Sequence, residues 1–160
     1  MIRMERTNKD DPRFLDLVSM LDHDLSGRYE DGNASYASFN TLVKITAVVL
    51  ALVDGEPAGC GAFKPFEENG VEIKRVFIKP CFRGRGISKR IMTELEYWAA
   101  EEGCVRAVLE TGMNQPEAIS LYEGIGYRRM ENFEPYIGMP ESICFEKPLT
   151  PLIQIKEEAK

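Results

Sequence analysis

The sequence predicts one α/β domain in which a central, mostly antiparallel sheet of six to seven strands is flanked by about four helices. Three observations predict this. Two tight-turn signals, Asp54-Gly55 and Glu68-Asn69-Gly70, join three apolar runs into consecutive antiparallel strands. Beyond Gly86, stretches with helical spacing alternate with short apolar runs. The length of 160 residues matches one domain, and 44% hydrophobic with 29% charged residues is ordinary for a globular chain.

Each element has its own signal. The opening IRMERT suits a first strand. Pro12 stands where a helix begins, and Phe14, Leu15, Leu17, Val18, Leu21 and Leu25 recur at helical spacing, which predicts a helix over 12–26. Residues 27–44 are polar and aromatic without a clean period and read as a short helix within loops. ITAVVLALV and EPAGCGAF form a hairpin across Asp54-Gly55, and VEIKRVFI follows the second turn. From Gly86, the residues Ile87, Ile91, Leu95 and Trp98 mark one helical face, with Gly103 placed to end it. CVRAVLET reads as a strand, PEAISLYEGI as a helix opened by Pro116, and GYRRM and SICFEKP as closing strands. Residues 1–149 are expected to form the single domain, and residues 150–160 a loosely held tail.

Composition excludes several classes. No apolar run approaches the ~20 residues that span a bilayer. The polar start MIRMERTNKDD carries no signal-peptide core, which points to the cytoplasm. Cys60, Cys81, Cys104 and Cys144 lack CxxC spacing and read as free, mostly buried thiols, with no metal site. A net charge of −6 disfavours nucleic acid and acidic lipid as partners. Residues 74–90, KRVFIKPCFRGRGISKR, break the acidic trend with seven of the 20 basic residues and no acid. A local cationic patch on an acidic protein suits a small polyanion.

Where a strand enters a helix through glycines, the first turn exposes N–H groups that lack carbonyl partners, and the helix dipole adds about +0.5 charge. That is an anion site. Gly84 and Gly86 remove side chains from the approach, and Arg83 and Arg85 can add charge-assisted hydrogen bonds. The bland alternative is a glycine-eased turn with solvated arginines. GRGISK lacks the third glycine of a dinucleotide fingerprint and the GK[ST] ending of a P-loop.

Arg83-Gly84-Arg85-Gly86-Ile87-Ser88 resembles the R/Q-x-x-G-x-G/A signature of the GNAT superfamily of N-acetyltransferases. QPEAISLYEGIGY at 115–127 is similar to the family's second motif, N-x-x-A-x-x-L-Y-E-x-x-G-F. The resemblance is strongest over residues 70–127. It implies acetyl-CoA as co-substrate, with the pyrophosphate cradled between Arg83 and Ser88. The pantetheine would lie beside Val76, Phe77 and Ile78, and an N–H near Val76 or Phe77 would face the thioester carbonyl. Ser88 departs from the usual glycine or alanine and adds a hydroxyl beside the phosphates. The family asparagine falls on Gln115, with Asn114 one residue too early; Gln115 is a poor helix cap, and the resemblance implies a bond to the pantetheine arm.

Acetyl transfer to an amine needs a deprotonated nucleophile, a held thioester, oxyanion donors and a proton for the departing thiolate. An alkylammonium has a pKa near 10.4, so a base or water relay must act first. Glu72, eleven positions before Arg83, resembles the glutamate that some family members use as general base. It reads equally as a half-exposed strand carboxylate paired with Lys74. Tyr122 matches the family tyrosine that protonates the thiolate, with core packing as the alternative. His23, the only histidine, has no triad partner nearby in sequence, and Cys81 beside the cationic turn offers a minor covalent route. Acidic and aromatic residues in GRYEDGNASYASF and ENFEPYIGMPES, among them Phe133, Glu134 and Tyr136, would suit a cationic amine. The expected acceptor is a small amine or a peptide N-terminus, and family members often form homodimers. Two rivals stand beside this reading: a noncatalytic acyl-CoA sensor, and a nucleotide-phosphate binder for which ATP would compete as well as CoA.

Overall fold

The computed structural model describes residues 1–28 and 41–152. Its spine is a seven-stranded sheet in the order β1-β2-β3-β4-β5-β7-β6. The strands are β1 (Ile2–Thr7), β2 (Ala47–Val53), β3 (Glu56–Phe66), β4 (Gly70–Ile78), β5 (Arg106–Gly112), β6 (Arg128–Met130) and β7 (Ser142–Pro148). Every neighbouring pair is antiparallel except β4 with β5. Three α-helices pack on it among the described residues: α1 (Pro12–Ser26), α2 (Ile87–Glu101) and α3 (Pro116–Gly124), with a 3-10 turn at Pro80–Phe82. The expected total of about four helices included one within 27–44, most of which lies outside the described residues, as does most of the 150–160 tail.

Local chemistry explains the boundaries. The Asp11 carboxylate caps α1 by accepting from the Arg13 N–H at 2.9 Å, and Pro12 supplies a first-turn residue that needs no N–H acceptor. Gly103, at φ +88°, stops α2 in the left-handed conformation expected of a helix terminator. The β2–β3 turn places Asp54 and Gly55 at positive φ, as a type I′ hairpin requires. The next turn falls one residue earlier than its signal suggests: Glu67 and Asn69 take the positive φ values, and Gly70 already belongs to β4.

The two sheet faces carry separate cores. Phe63, Ile73, Leu109 and Phe145 face α2, whose Ile91, Met92 and Leu95 are fully buried against them. A Cβ on Gly61 would come within 2.7 Å of Ile91 Cγ2, so only glycine lets this helix sit so close to β3. On the opposite face α1 packs Phe14, Leu17, Val18 and Leu21 on Val48, Leu50, Cys60 and Phe77. Beyond the end of α1, that face is covered by Phe133 and Tyr136 from the segment before β7, against Val108 and Cys144. The cysteines are all free, but only Cys60 and Cys144 are buried; Cys104 is intermediate and Cys81 exposed. The expectation of mostly buried thiols thus fits two of the four.

One irregularity positions the site. β4 bulges opposite Gly61, with Arg75 at φ +61°. The parallel pairing to β5 covers Gly70–Ile73 against Arg106–Leu109 and ends there. Past the bulge the strands separate, and the β5-facing edge of Val76, Phe77 and Ile78 is left without a strand partner.

Candidate active site

A cleft of about 300 Å³ runs along this open seam. Val76, Phe77 and Ile78 form one wall, Arg83, Gly84, Gly86, Ile87 and Ser88 close one end, and Gln115, Ala118, Leu121 and Tyr122 supply the other wall. Gly84 and Gly86 sit at φ +84° and +74°, and a Cβ on either would meet nothing within 4 Å. The glycines are therefore required first by backbone conformation, which a side chain would strain, and they also leave the approach open. Gly86 caps α2 without a side chain, so the first-turn N–H groups face outward with no competing acceptor.

The two arginines of the turn part company. Arg83 lines the cleft; its Nε donates to the Ile78 carbonyl at 3.0 Å, and its guanidinium lies 5.7 Å from the Phe77 ring centre. Arg85 instead stacks over Phe82 at 5.4 Å and is not part of the cleft lining. Asn114 and Gln115 separate as well. Asn114 is exposed and exchanges hydrogen bonds with the Arg28 backbone and guanidinium, whereas Gln115 lines the cleft and makes no side-chain cap to α3. Arg28 also pairs with Glu117 at 2.5 Å and Asp24 at 3.2 Å, which ties the end of α1 to the start of α3 across the cleft mouth.

A smaller pocket of about 90 Å³ adjoins the first, and Leu21, Val76, Gln115 and Tyr122 line both. Its walls carry Glu72, Lys74, Arg75, Glu110 and Tyr136. Glu72 is not half exposed: only 2% of its surface meets solvent. Tyr136 Oη donates to Glu72 Oε2 at 3.1 Å, and the ammonium groups of Lys74 and Lys64 each stand 3.6 Å from its carboxylate. Lys74 Nζ donates to Tyr136 Oη at 3.0 Å. Burial lowers the Lys74 pKa, with Glu72 pulling the other way. Burial, reinforced by Glu72, holds the Tyr136 phenol protonated through the ordinary range.

Glu110, on β5, was not among the residues singled out in the sequence. Burial raises its carboxyl to about 6, partly offset by the hydroxyl of Ser142, which donates at 2.7 Å. In sequence it is one acid in a strand, CVRAVLET; in the fold it is the first β5 residue past the last β4–β5 pair and lines the same chamber as Glu72. Tyr122 sits where the two pockets meet, with its ring edge-on to Tyr127. Burial and then the Glu110 charge push its phenol pKa upward, so it remains a proton donor. His23 is exposed on α1, and Cys81 is exposed within the 3-10 turn, outside the cleft lining. Among the described residues no cluster of His, Cys, Asp and Glu could hold a metal, and no helix is long and apolar enough to cross a membrane.

Known proteins share this architecture. Residues 14–127 match the sequence profile of the Acetyltransferase (GNAT) family. An IAA acetyltransferase from Azospirillum brasilense is 34% identical over 135 residues, covering 83% of this chain and 88% of that protein. A crystal structure from Klebsiella pneumoniae, assigned as an acyl-CoA N-acyltransferase, superposes with a TM-score of 0.79 at 31% identity, over 93% of this chain and 98% of that one. A GNAT family acetyltransferase from Elizabethkingia anophelis with acetyl-CoA bound shares the fold, with a TM-score of 0.69 at 19% identity over 92% and 98% of the two chains. With a glycine turn, an open β4 edge and a tyrosine at the meeting of two pockets, the chain belongs to the GNAT family of acetyltransferases and is an acyltransferase.

Proposed function

We propose that the protein moves the acetyl group of acetyl-CoA to a primary amine by direct attack within a ternary complex. The observation that carries this reading is the continuity of the two pockets: an anion-ready cleft opens, through Tyr122 and Gln115, into a small chamber holding two carboxylates. The diphosphate binds the main chain of residues 84–88 with Arg83 beside it, and the pantetheine pairs with the free edge of Val76, Phe77 and Ile78. A main-chain N–H at Val76 or Phe77 polarises the thioester carbonyl. Gln115 bonds the pantetheine arm, and Ser88 donates to a phosphate. Arg85 adds long-range charge, and Asn114 fixes Arg28 at the cleft mouth.

The base was expected at Glu72. Its carboxylate is already engaged by Tyr136, Lys74 and Lys64. Glu110, raised by burial to about 6 and accepting from the Ser142 hydroxyl, is better poised to take a proton from an incoming ammonium at neutral pH. We therefore assign the base for an external amine to Glu110, with Glu72 as the second reading. Tyr122 then gives a proton to the departing sulfur. The acceptor is a small amine or a peptide N-terminus, and the setting is a cytoplasmic single domain spanning residues 1–149, with pairing into a homodimer in keeping with the family. Calorimetric titration with acetyl-CoA, followed by a thiol-release assay across a panel of amines, tests the proposal. Binding with turnover supports it; binding without turnover on any amine favours a noncatalytic sensor, and equal competition by ATP favours a general phosphate binder.

A further inference from the structure

The acceptor pocket already contains a primary amine. Lys74 Nζ lies in the chamber with Glu110 and Tyr122, on the strand that carries Val76 two residues on. It is also connected to a base: the amine donates to Tyr136 Oη at 3.0 Å, and that hydroxyl donates to Glu72 Oε2 at 3.1 Å. Ammonium, phenol and carboxylate form a hydrogen-bonded line along which one proton can pass from nitrogen to Glu72. The Lys74 side chain is only 5% exposed, so the charged form gains little from solvent. Lys64, the other ammonium beside Glu72, is 25% exposed and does not line the chamber.

We propose that Lys74 is itself an acetyl acceptor, and that the enzyme modifies this residue when acetyl-CoA is bound and no external amine is present. The inference rests on the proposed binding of acetyl-CoA in the seam between β4 and β5. Lys74 gives one proton through Tyr136 to Glu72, and its nitrogen lone pair attacks the thioester carbonyl carbon. As the tetrahedral adduct collapses, the carbon–sulfur bond breaks and the new carbon–nitrogen bond remains. The second nitrogen proton passes to the Glu110 carboxylate in the same chamber and on to water, and the thiolate takes one from Tyr122, which is replenished from solvent. The products are an acetylated Lys74 side chain and CoA thiol, and Glu72 returns its proton to water. Acetylation removes the charge that faces Glu72 and fills a chamber of about 90 Å³, so it also blocks the acceptor.

The test is incubation of the full chain with acetyl-CoA alone, followed by intact mass and peptide mapping, alongside calorimetry of CoA binding. The expected result is one acetyl group on Lys74, added at least about tenfold faster than on exposed Lys44 and Lys89, a margin that a positioned base readily supplies. Tyr136→Phe keeps the ring and breaks the proton line, so it should slow Lys74 acetylation to the rate of the exposed lysines and leave those unchanged. CoA binding with Lys74 unmodified, or modified no faster than Lys44 and Lys89, would overturn the inference and leave the proposed function standing. Absence of CoA binding would overturn both.

Discussion

Glu110 and Glu72 show how two carboxylates on one sheet face come to differ through their neighbours. Glu72 is surrounded by a phenol and two ammonium groups, while Glu110 has burial and the Glu72 charge working against its ionisation, with the Ser142 hydroxyl and the more distant Lys74 charge in partial support. Activity limited by Glu110 should rise with pH through about 6, and Glu110→Gln should remove that ascending limb and lower kcat/KM by about a hundredfold. If Glu72→Gln removes the limb while Glu110→Gln retains it, the base is Glu72. Stability moves the opposite way. The unfolded Glu110 carboxyl ionises near its ordinary 4.5 and the folded one near 6, so stability is lost as pH rises between them. Glu110→Gln should therefore be more stable than the parent by about 2 kcal/mol at neutral pH, with the gain vanishing in acid, as chemical denaturation at both pH values would show. Tyr122→Phe should lower kcat by about a hundredfold with little change in KM, since the ring stays and only the proton donor goes. Tyr122 was legible because a motif surrounds it. Glu110 was not, because nothing within CVRAVLET distinguishes a solvated strand acid from one walled in by Tyr136 and Ser142, which arrive from later in the chain.

At the level of elements, local signals and long-range geometry divide cleanly. Helix α1 was expected over the same residues it occupies because a proline and an apolar period act within a few positions, and the structure adds Asp11 as its cap. Asp11→Ala should cost about 1 kcal/mol in urea denaturation through loss of the cap. That variant also frees Arg13, which pairs with both Asp11 and Glu5. The strand β4 was equally visible, but its bulge was not: VEIKRVFI carries no glycine or proline to mark a break, and Arg75 adopts φ +61° without one. The guanidinium explains part of the cost, since its Nη2 donates to Asp22 of α1 at 2.6 Å while Nε is buried without a partner. Gly86→Ala at φ +74° should weaken CoA binding measurably by calorimetry and destabilise the start of α2 by about 1 kcal/mol, because an alanine there must leave the left-handed conformation or bear its strain.

For the molecule as a whole, charge is distributed against its own average. A chain with net charge −6 gathers basic residues along β4 and the turn into α2, so a polyanion meets local attraction within general repulsion. CoA affinity should fall as salt is raised from low to physiological ionic strength, because the exposed arginine charge is screened over about 10 Å. The fold class was legible at this scale because hairpin turns and helical periods set the order of elements. The meeting of the two pockets was not, since it joins residues from α1, β4, β5 and α3 that share no sequence neighbourhood.

The parallel ladder between β4 and β5 stops after four residue pairs. A ligand threaded into the gap would act as a missing rung, stitching the two halves of the sheet with its own amides. If the proposed co-substrate fills it, that molecule is a folding partner as much as a reagent, and the free protein should open first along that line, with slow exchange at those amides of Val76–Ile78 that face β5 appearing only once the thioester is bound.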